Sequence, residues 1–266
     1  MFHDFLFMRV QFPFPIALGL YFFVYAFFIW GLWYIRQRPK KLGFYKHWST
    51  QDFLVIGIMA VLLFVWDDLL ANQIISPFDH AIPVVGPVLS FLQFHDLPYM
   101  FLLMVGVAMV RKPGIMISMI FIKDLLQEIM FSHHGVNPLH WMNSLSQGVL
   151  GDMYIVWIKG QIFSNPKRYF WDGLVLGFFR AVPNTPIGGM VMDPVLNGVT
   201  HTILHFWWDV VGNGVGNGLE AALTAPLAVR VARSVQMLVG QDPMGSQGGT
   251  MGIKDDEWNS IGGEPS

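Results

Sequence analysis

The chain of 266 residues is 53% hydrophobic and only 13% charged, with a formal net charge of −2 and a mean hydropathy of +0.47. A soluble domain of this length needs more polar surface, so the composition predicts an integral membrane protein. There is no cysteine, which excludes disulfides, thiolate metal sites and cysteine nucleophiles.

About 20 apolar residues cross roughly 30 Å of hydrocarbon, and on that measure the chain reads as all-α with about seven transmembrane helices. The first span, from about Pro13 to Ile35, leads to Arg36, Arg38, Lys40, Lys41 and Lys46, the densest positive cluster. By the positive-inside rule this loop is cytoplasmic. The second span covers about Phe53 to Ala71. The third runs from about Val84 to Val110, with an irregularity at His95-Asp96-Leu97-Pro98, and returns to Arg111 and Lys112. A fourth, Gly114 to Phe131, and a fifth, Leu139 to Ile158, bring the chain to Lys159, Lys167 and Arg168. A short sixth, Trp171 to Val182, opens into a Pro/Gly-rich stretch, Pro183 to Gly198, read as an external loop or re-entrant segment. The last span, Thr200 to Ala228, ends before Arg230 and Arg233. Only Arg9, Lys123 and Arg180 lie off this pattern, and an N-out, C-in cell-membrane protein results. Arg9 is a weak n-region and no small-residue cleavage site precedes the basic cluster, so the first span reads as a retained helix. Three parts follow: residues 1–46, an additional helix with its basic loop; 47–238, a six-helix bundle; and 239–266, a Gly/Ser/acid-rich tail expected to be disordered.

Charged residues inside spans cost about 2.5–3.5 kcal/mol each unless they face the bundle interior or a cavity. Asp67, Asp68, Asp96, Lys123, Asp124 and Glu128 skew toward the outer half, with Asp152 near the middle of its helix, and together they point to one externally facing polar pocket. Equally, Lys123 with Asp124 or an acid on another helix reads as a neutralised interior pair. Trp141, Asn143, Gln147, Tyr154 and Trp157 share the fifth helix. Aromatic walls with a few fixed polar groups suit a flat heteroaromatic ligand, although Trp and Tyr also form interfacial belts.

Two constellations have metal-ligand chemistry. His201, His205 and Asp209 recur at i, i+4 and i+8 on one helix face, and His80, His133, His134 and His140 stand on the external side. For each histidine a hydrogen-bonded pocket or interface residue is the plainer reading. No HExxH, nucleophile elbow or P-loop is present, which argues against a recognisable hydrolase or ATPase.

The segments HWSTQDFLVIGIMAVLLFVWDDL, VRKPGIMISMIFIKDLLQEIMF and SLSQGVLGDMYIVW resemble, in order and spacing, the YkoE-type substrate-binding (S) components of energy-coupling factor (ECF) transporters, over about residues 47–238. The resemblance implies a non-enzymatic membrane subunit that captures thiamin or its hydroxymethylpyrimidine precursor from outside, with no cofactor and no nucleic acid. It also implies partnership with a transmembrane coupling protein and two cytoplasmic ATPases. Asp152 stands where that family has Glu, and the small residues for the coupling surface are few, with Gly57 and Ala60 at i, i+3.

On this reading Glu128 and Asp152 accept hydrogen bonds from an aminopyrimidine-like ring, Trp141 and Tyr154 stack on it and Asn143 adds a directional contact, with Gln147 and Asp96 nearby. The rivals are a metal-binding oxidoreductase subunit using His201, His205 and Asp209, and a structural subunit of a larger complex, packing through the Gly-rich stretch from Gly212 to Gly218.

Overall fold

The computed structural model describes residues 14–75, 96–131 and 141–238, and among these the chain is helical with no strand. Helix α1 is Phe14–Lys41, and α2 is Thr50–Phe64, which runs on as a π-helix, Val65–Ile75. Then come α3 (Leu97–Val110), α4 (Ile115–Phe131), α5 (Trp141–Trp157), α6 (Tyr169–Ala181), a second π-helix (Asn184–Asn197) and α7 (Ile203–Leu238). Helices α2, α4, α5, α6, α7 and α3 touch in that order and close into a ring, while α1 lies outside it against α5 and the second π-helix. The expected all-helical class is what the described residues show. Among the described residues two helical stretches are long and apolar enough to cross a membrane, Phe14–Lys41 and Thr50–Ala71; Leu97–Val110 is apolar but shorter.

Local sequence explains where the helices start and stop. Ser49 caps α2 in a capping box: its hydroxyl accepts the Asp52 N–H at 3.2 Å while the Asp52 carboxylate accepts the Ser49 N–H at 2.6 Å, satisfying two donors that the helix start leaves open. Lys112 joins this cap through an ion pair with Asp52 and a 2.9 Å bond to the His47 carbonyl. Helix α3 ends at Arg111, whose left-handed backbone (φ 49°) lets its N–H reach the Val107 carbonyl at 2.9 Å. Burial pushes the Arg111 guanidinium down to about 10, against Tyr169 and with the like charge of Arg233 adding to the effect, so it stays charged at neutral pH.

These contacts gather the basic loops at one end of the bundle. Gln236 near the end of α7 donates to the Met109 carbonyl at 2.9 Å, Arg233 bonds the Tyr169 hydroxyl, and Phe44, just beyond α1, lies against Gly160. Lys40, Arg111, Lys112, Lys159, Lys167, Arg168 and Arg233 therefore share one end, called the basic end below.

Packing elsewhere depends on small residues. Gly173 and Gly177 of α6 face α7 so closely that a Cβ on Gly177 would stand 2.2 Å from the Asn217 carbonyl oxygen and 2.7 Å from the Ala221 Cβ. Backbone approach of this kind is what small residues allow between apolar helices.

Helix α3 is described from Leu97, at the expected irregularity, and residues 84–95 of the expected span lie outside the described residues, as do Arg9 and the tail 239–266. Two expectations change. The stretch from Pro183 to Gly198, expected as an external loop or re-entrant segment, is not an open loop: Asn184–Asn197 are wound into the second π-helix, with Pro194 inside it. Helix α7 continues ten residues past Ala228, because Arg233 and Gln236 find partners on the protein and the apolar boundary is not a helix stop.

Candidate functional site

Between the middle of the bundle and the end opposite the basic loops, charged side chains from five segments meet. Lys123 on α4 is buried, and its ammonium lies 2.7 Å from Asp67, 3.3 Å from Asp68 and 3.5 Å from Asp124, with Gln127 accepting at 3.2 Å. Asp67 and Asp68 are neighbours in sequence, and both reach the same ammonium from the first π-helix, a winding often found at functional sites. Arg180 on α6 is the second cation. It donates to Asn217 Oδ1 at 3.0 Å, pairs with Asp96 at 3.6 Å and lies over the Tyr99 ring, 4.7 Å from its centroid. Asp67 and Tyr99 act electrostatically on both cations, so the two groups form one network.

The network holds more acid than base. Two cations face five carboxyl groups, counting Glu220 on α7, which is 3% exposed and has no hydrogen-bond partner for either oxygen. The second oxygen of Asp124 is likewise buried without one. Burying an ionised carboxylate without a partner is unfavourable enough that it takes up a proton or a cation instead.

Beside the network stands an aromatic and amide wall. Glu128 accepts the Trp141 indole N–H at 2.8 Å, and Trp141 packs edge-on against Phe121. Asn143 donates to Asn184 Oδ1 at 2.5 Å, while its side-chain Oδ1 is buried without a hydrogen-bond partner among the described residues. Ser144 of α5 stands close enough to Asp124 to act on its carboxyl group and so ties wall to network.

The sequence-predicted residues therefore divide. Glu128, Trp141, Asn143 and Asp96 come together with the acids at this end, and Gln147 is buried one turn beyond Asn143. Asp152 does not join them. It is fully buried and accepts the N–H groups of Met116 at 3.2 Å and Ile117 at 2.9 Å, capping the start of α4 from α5. Glu128 lies three helical turns further along α4, about 16 Å on a rise of 1.5 Å per residue, so the two carboxylates cannot flank one ring. Tyr154 also belongs to the basic end: its hydroxyl donates to Asp172 at 2.8 Å, and Asp172 also accepts the Phe163 N–H at 2.8 Å and pairs with Arg168 at 3.2 Å.

Of the expected metal ligands, His201 is paired with Asp193 at 2.9 Å. The side chains of His205 and Asp209, and His80, His133, His134 and His140, lie outside the described residues. Among the described residues no three His, Cys, Asp or Glu side chains are arranged to hold a metal ion.

Sequence reasoning passed over Glu220, Asn217 and Tyr99 and treated Arg180 only as an exception. The signal was available, since Glu220 stands alone among Gly218, Leu219, Ala221 and Ala222 in a predicted span and carries the same insertion cost as the acids that were noticed. No protein-family model, curated protein or solved structure matches the chain.

Proposed function

We propose that this chain is a multi-pass membrane subunit that captures a small cationic heteroaromatic solute at the end opposite its basic loops. The observation that carries this reading is the surplus, among the described residues, of buried and half-buried carboxyl groups over cations, set beside the wall of Trp141, Asn143 and Glu128. A solute that brings positive charge and a flat ring satisfies both features at once.

A bilayer is supported by the outward faces. On α7, Trp207, Val211, Val215, Leu219, Leu223 and Leu227 recur every fourth residue, all between 41% and 66% exposed, over about 30 Å at 1.5 Å per residue. Water would meet that stripe at great cost, whereas lipid meets it without one. Phe22, Phe23 and Ile29 on α1 and Phe53, Leu54 and Ile58 on α2 extend the exposed apolar surface. With the basic end in the cytoplasm, the acid-rich network lies toward the outside.

The resemblance to YkoE-type S components narrows the solute to thiamin or its hydroxymethylpyrimidine precursor and supplies the motive force: a transmembrane coupling protein and cytoplasmic ATPases. The seat differs from the one that the resemblance alone implies, since Glu128 keeps its place in it while Asp152 and Tyr154 serve the fold.

Native mass spectrometry of the gently purified protein, with elemental analysis of the same sample and titration with thiamin and hydroxymethylpyrimidine, tests the proposal. A bound thiamin-like or pyrimidine mass, or saturable binding of either compound, supports it. Stoichiometric copper, iron or zinc lost on His201→Ala, with no binding of either compound, overturns it in favour of a metalloprotein. Copurification of ATPase subunits tests the partner assignment separately.

A further inference from the structure

The carboxyl group of Glu220 differs from its neighbours in the network. Asp67, Asp68 and Asp124 share the Lys123 ammonium, and Asp96 faces Arg180. Among the described residues Glu220 touches no cation and accepts no hydrogen bond, and both of its oxygens are shut away from solvent. Its direction is set by the helix: Leu219 before it faces outward at 41% exposure and Ala221 after it is fully buried, so Glu220 projects into the bundle beside the ring of charges. The groups that act on it from the helices packed against α7 are Asp96 of α3, a like charge, and Arg180 of α6. The Arg180 guanidinium pairs with Asp96, donates to Asn217 one turn before Glu220 and lies over the Tyr99 ring; its Nε has no hydrogen-bond partner among the described residues, and neither a hydrogen bond nor an ion pair joins it to Glu220. An anion there would face an apolar surrounding, a neighbouring carboxylate and a cation that makes no direct contact with it.

We propose that Glu220 is a proton-binding site and holds a proton in the resting protein. The proton removes a charge that nothing else in the described structure neutralises. It also makes Glu220 a group of this network that can release a positive charge when another arrives, so that the net charge of the interior does not change. The site deepens the solute-capture reading, but its proton is required by burial alone and stands whether or not thiamin is the solute.

Infrared spectroscopy of the full chain in lipid nanodiscs tests it, comparing wild type with Glu220→Gln in light and heavy water. The wild type should show the carbonyl stretch of an un-ionised carboxylic acid, shifted in heavy water and missing from the variant, whose thermal unfolding should be unchanged because neutral Gln reproduces the shape of neutral Glu. A folded variant that retains every such band places the proton elsewhere and overturns the proposal. Should the variant fail to fold, the wild type answers alone through dicyclohexylcarbodiimide, which adds across the O–H of a protonated buried carboxyl and stays on it as an acylurea. An adduct at Glu220 by peptide mapping supports the proton site, and its absence overturns it. Both readouts are independent of thiamin binding, so failure of the solute assignment and failure of the proton site are told apart.

Discussion

Asp152 on α5 accepts the backbone N–H of Ile117 on α4 at 2.9 Å, and through that bond one helix caps the start of another. The N–H groups at a helix start have no partner inside the helix, and here an acid from a neighbour supplies what the turn Arg111–Gly114 does not. Gly148, one turn earlier on α5, reinforces the contact: a Cβ there would stand 2.5 Å from the Ile117 Cα. The acid therefore serves the fold at a position where sequence reasoning placed a ligand.

Asp152→Ala is expected to lower stability by about 1–3 kcal/mol, the cost of leaving buried donors unsatisfied, with little change in solute affinity. Thermal unfolding in detergent beside a titration with thiamin separates the two effects. A variant that unfolds normally but no longer binds would return Asp152 to the ligand site.

Glu128→Gln should show the opposite pattern. The Gln carbonyl oxygen can still accept the Trp141 N–H, so folding is retained, while a charge-assisted contact to a cationic ring is lost. Affinity for thiamin or hydroxymethylpyrimidine is expected to fall tenfold or more, about 1.4 kcal/mol per factor of ten. Unchanged affinity would remove Glu128 from the site.

Lys123→Met leaves Asp67, Asp68 and Asp124 around a neutral side chain, and breaking a buried ion pair from one side costs about 3–5 kcal/mol. The variant should be poorly stable or absent from membranes. Adding Asp67→Asn, Asp68→Asn and Asp124→Asn should restore much of the yield, because the stranded charges are then gone. Failure of that rescue would mean that Lys123 acts by packing and not by charge.

Gly177→Leu should push α6 from α7, given the 2.2 Å approach to the Asn217 carbonyl, and with it disturb the bond from Arg180 to Asn217. Gly57→Leu is the matched control, since nothing lies within 4 Å of its added Cβ. Expression and unfolding temperature should fall for the first and hold for the second; equal behaviour of the two would contradict the described α6–α7 packing.

The chain has no cysteine, so single-cysteine variants report sidedness cleanly. In intact cells Lys46→Cys and Lys159→Cys should be protected from a membrane-impermeant maleimide and Val199→Cys labelled; the reverse pattern would invert the proposed orientation.

The helical class, the alternation of the chain and the gathering of basic loops at one end were legible in the sequence, because hydropathy and the spacing of Lys and Arg are one-dimensional signals. The polar cluster was legible in part: Asp67, Asp68, Asp96, Lys123, Asp124 and Glu128 each stand out as charges in apolar surroundings, whichever helix they face. Which of them meet was decided by tertiary structure alone. Asp152 lies on the same helix as Trp141 and Asn143, yet eleven residues of rise from Trp141 take it to the basic end, where the open N–H groups of α4 claim it. Arg180 and Glu220 enter the network only because Gly173 and Gly177 let α6 and α7 approach closely enough to bring Asn217 within hydrogen-bonding reach of the guanidinium. Periodicity identifies the face on which a side chain stands, but the depth of that side chain in the bundle and the charges opposite it depend on how neighbouring helices pack.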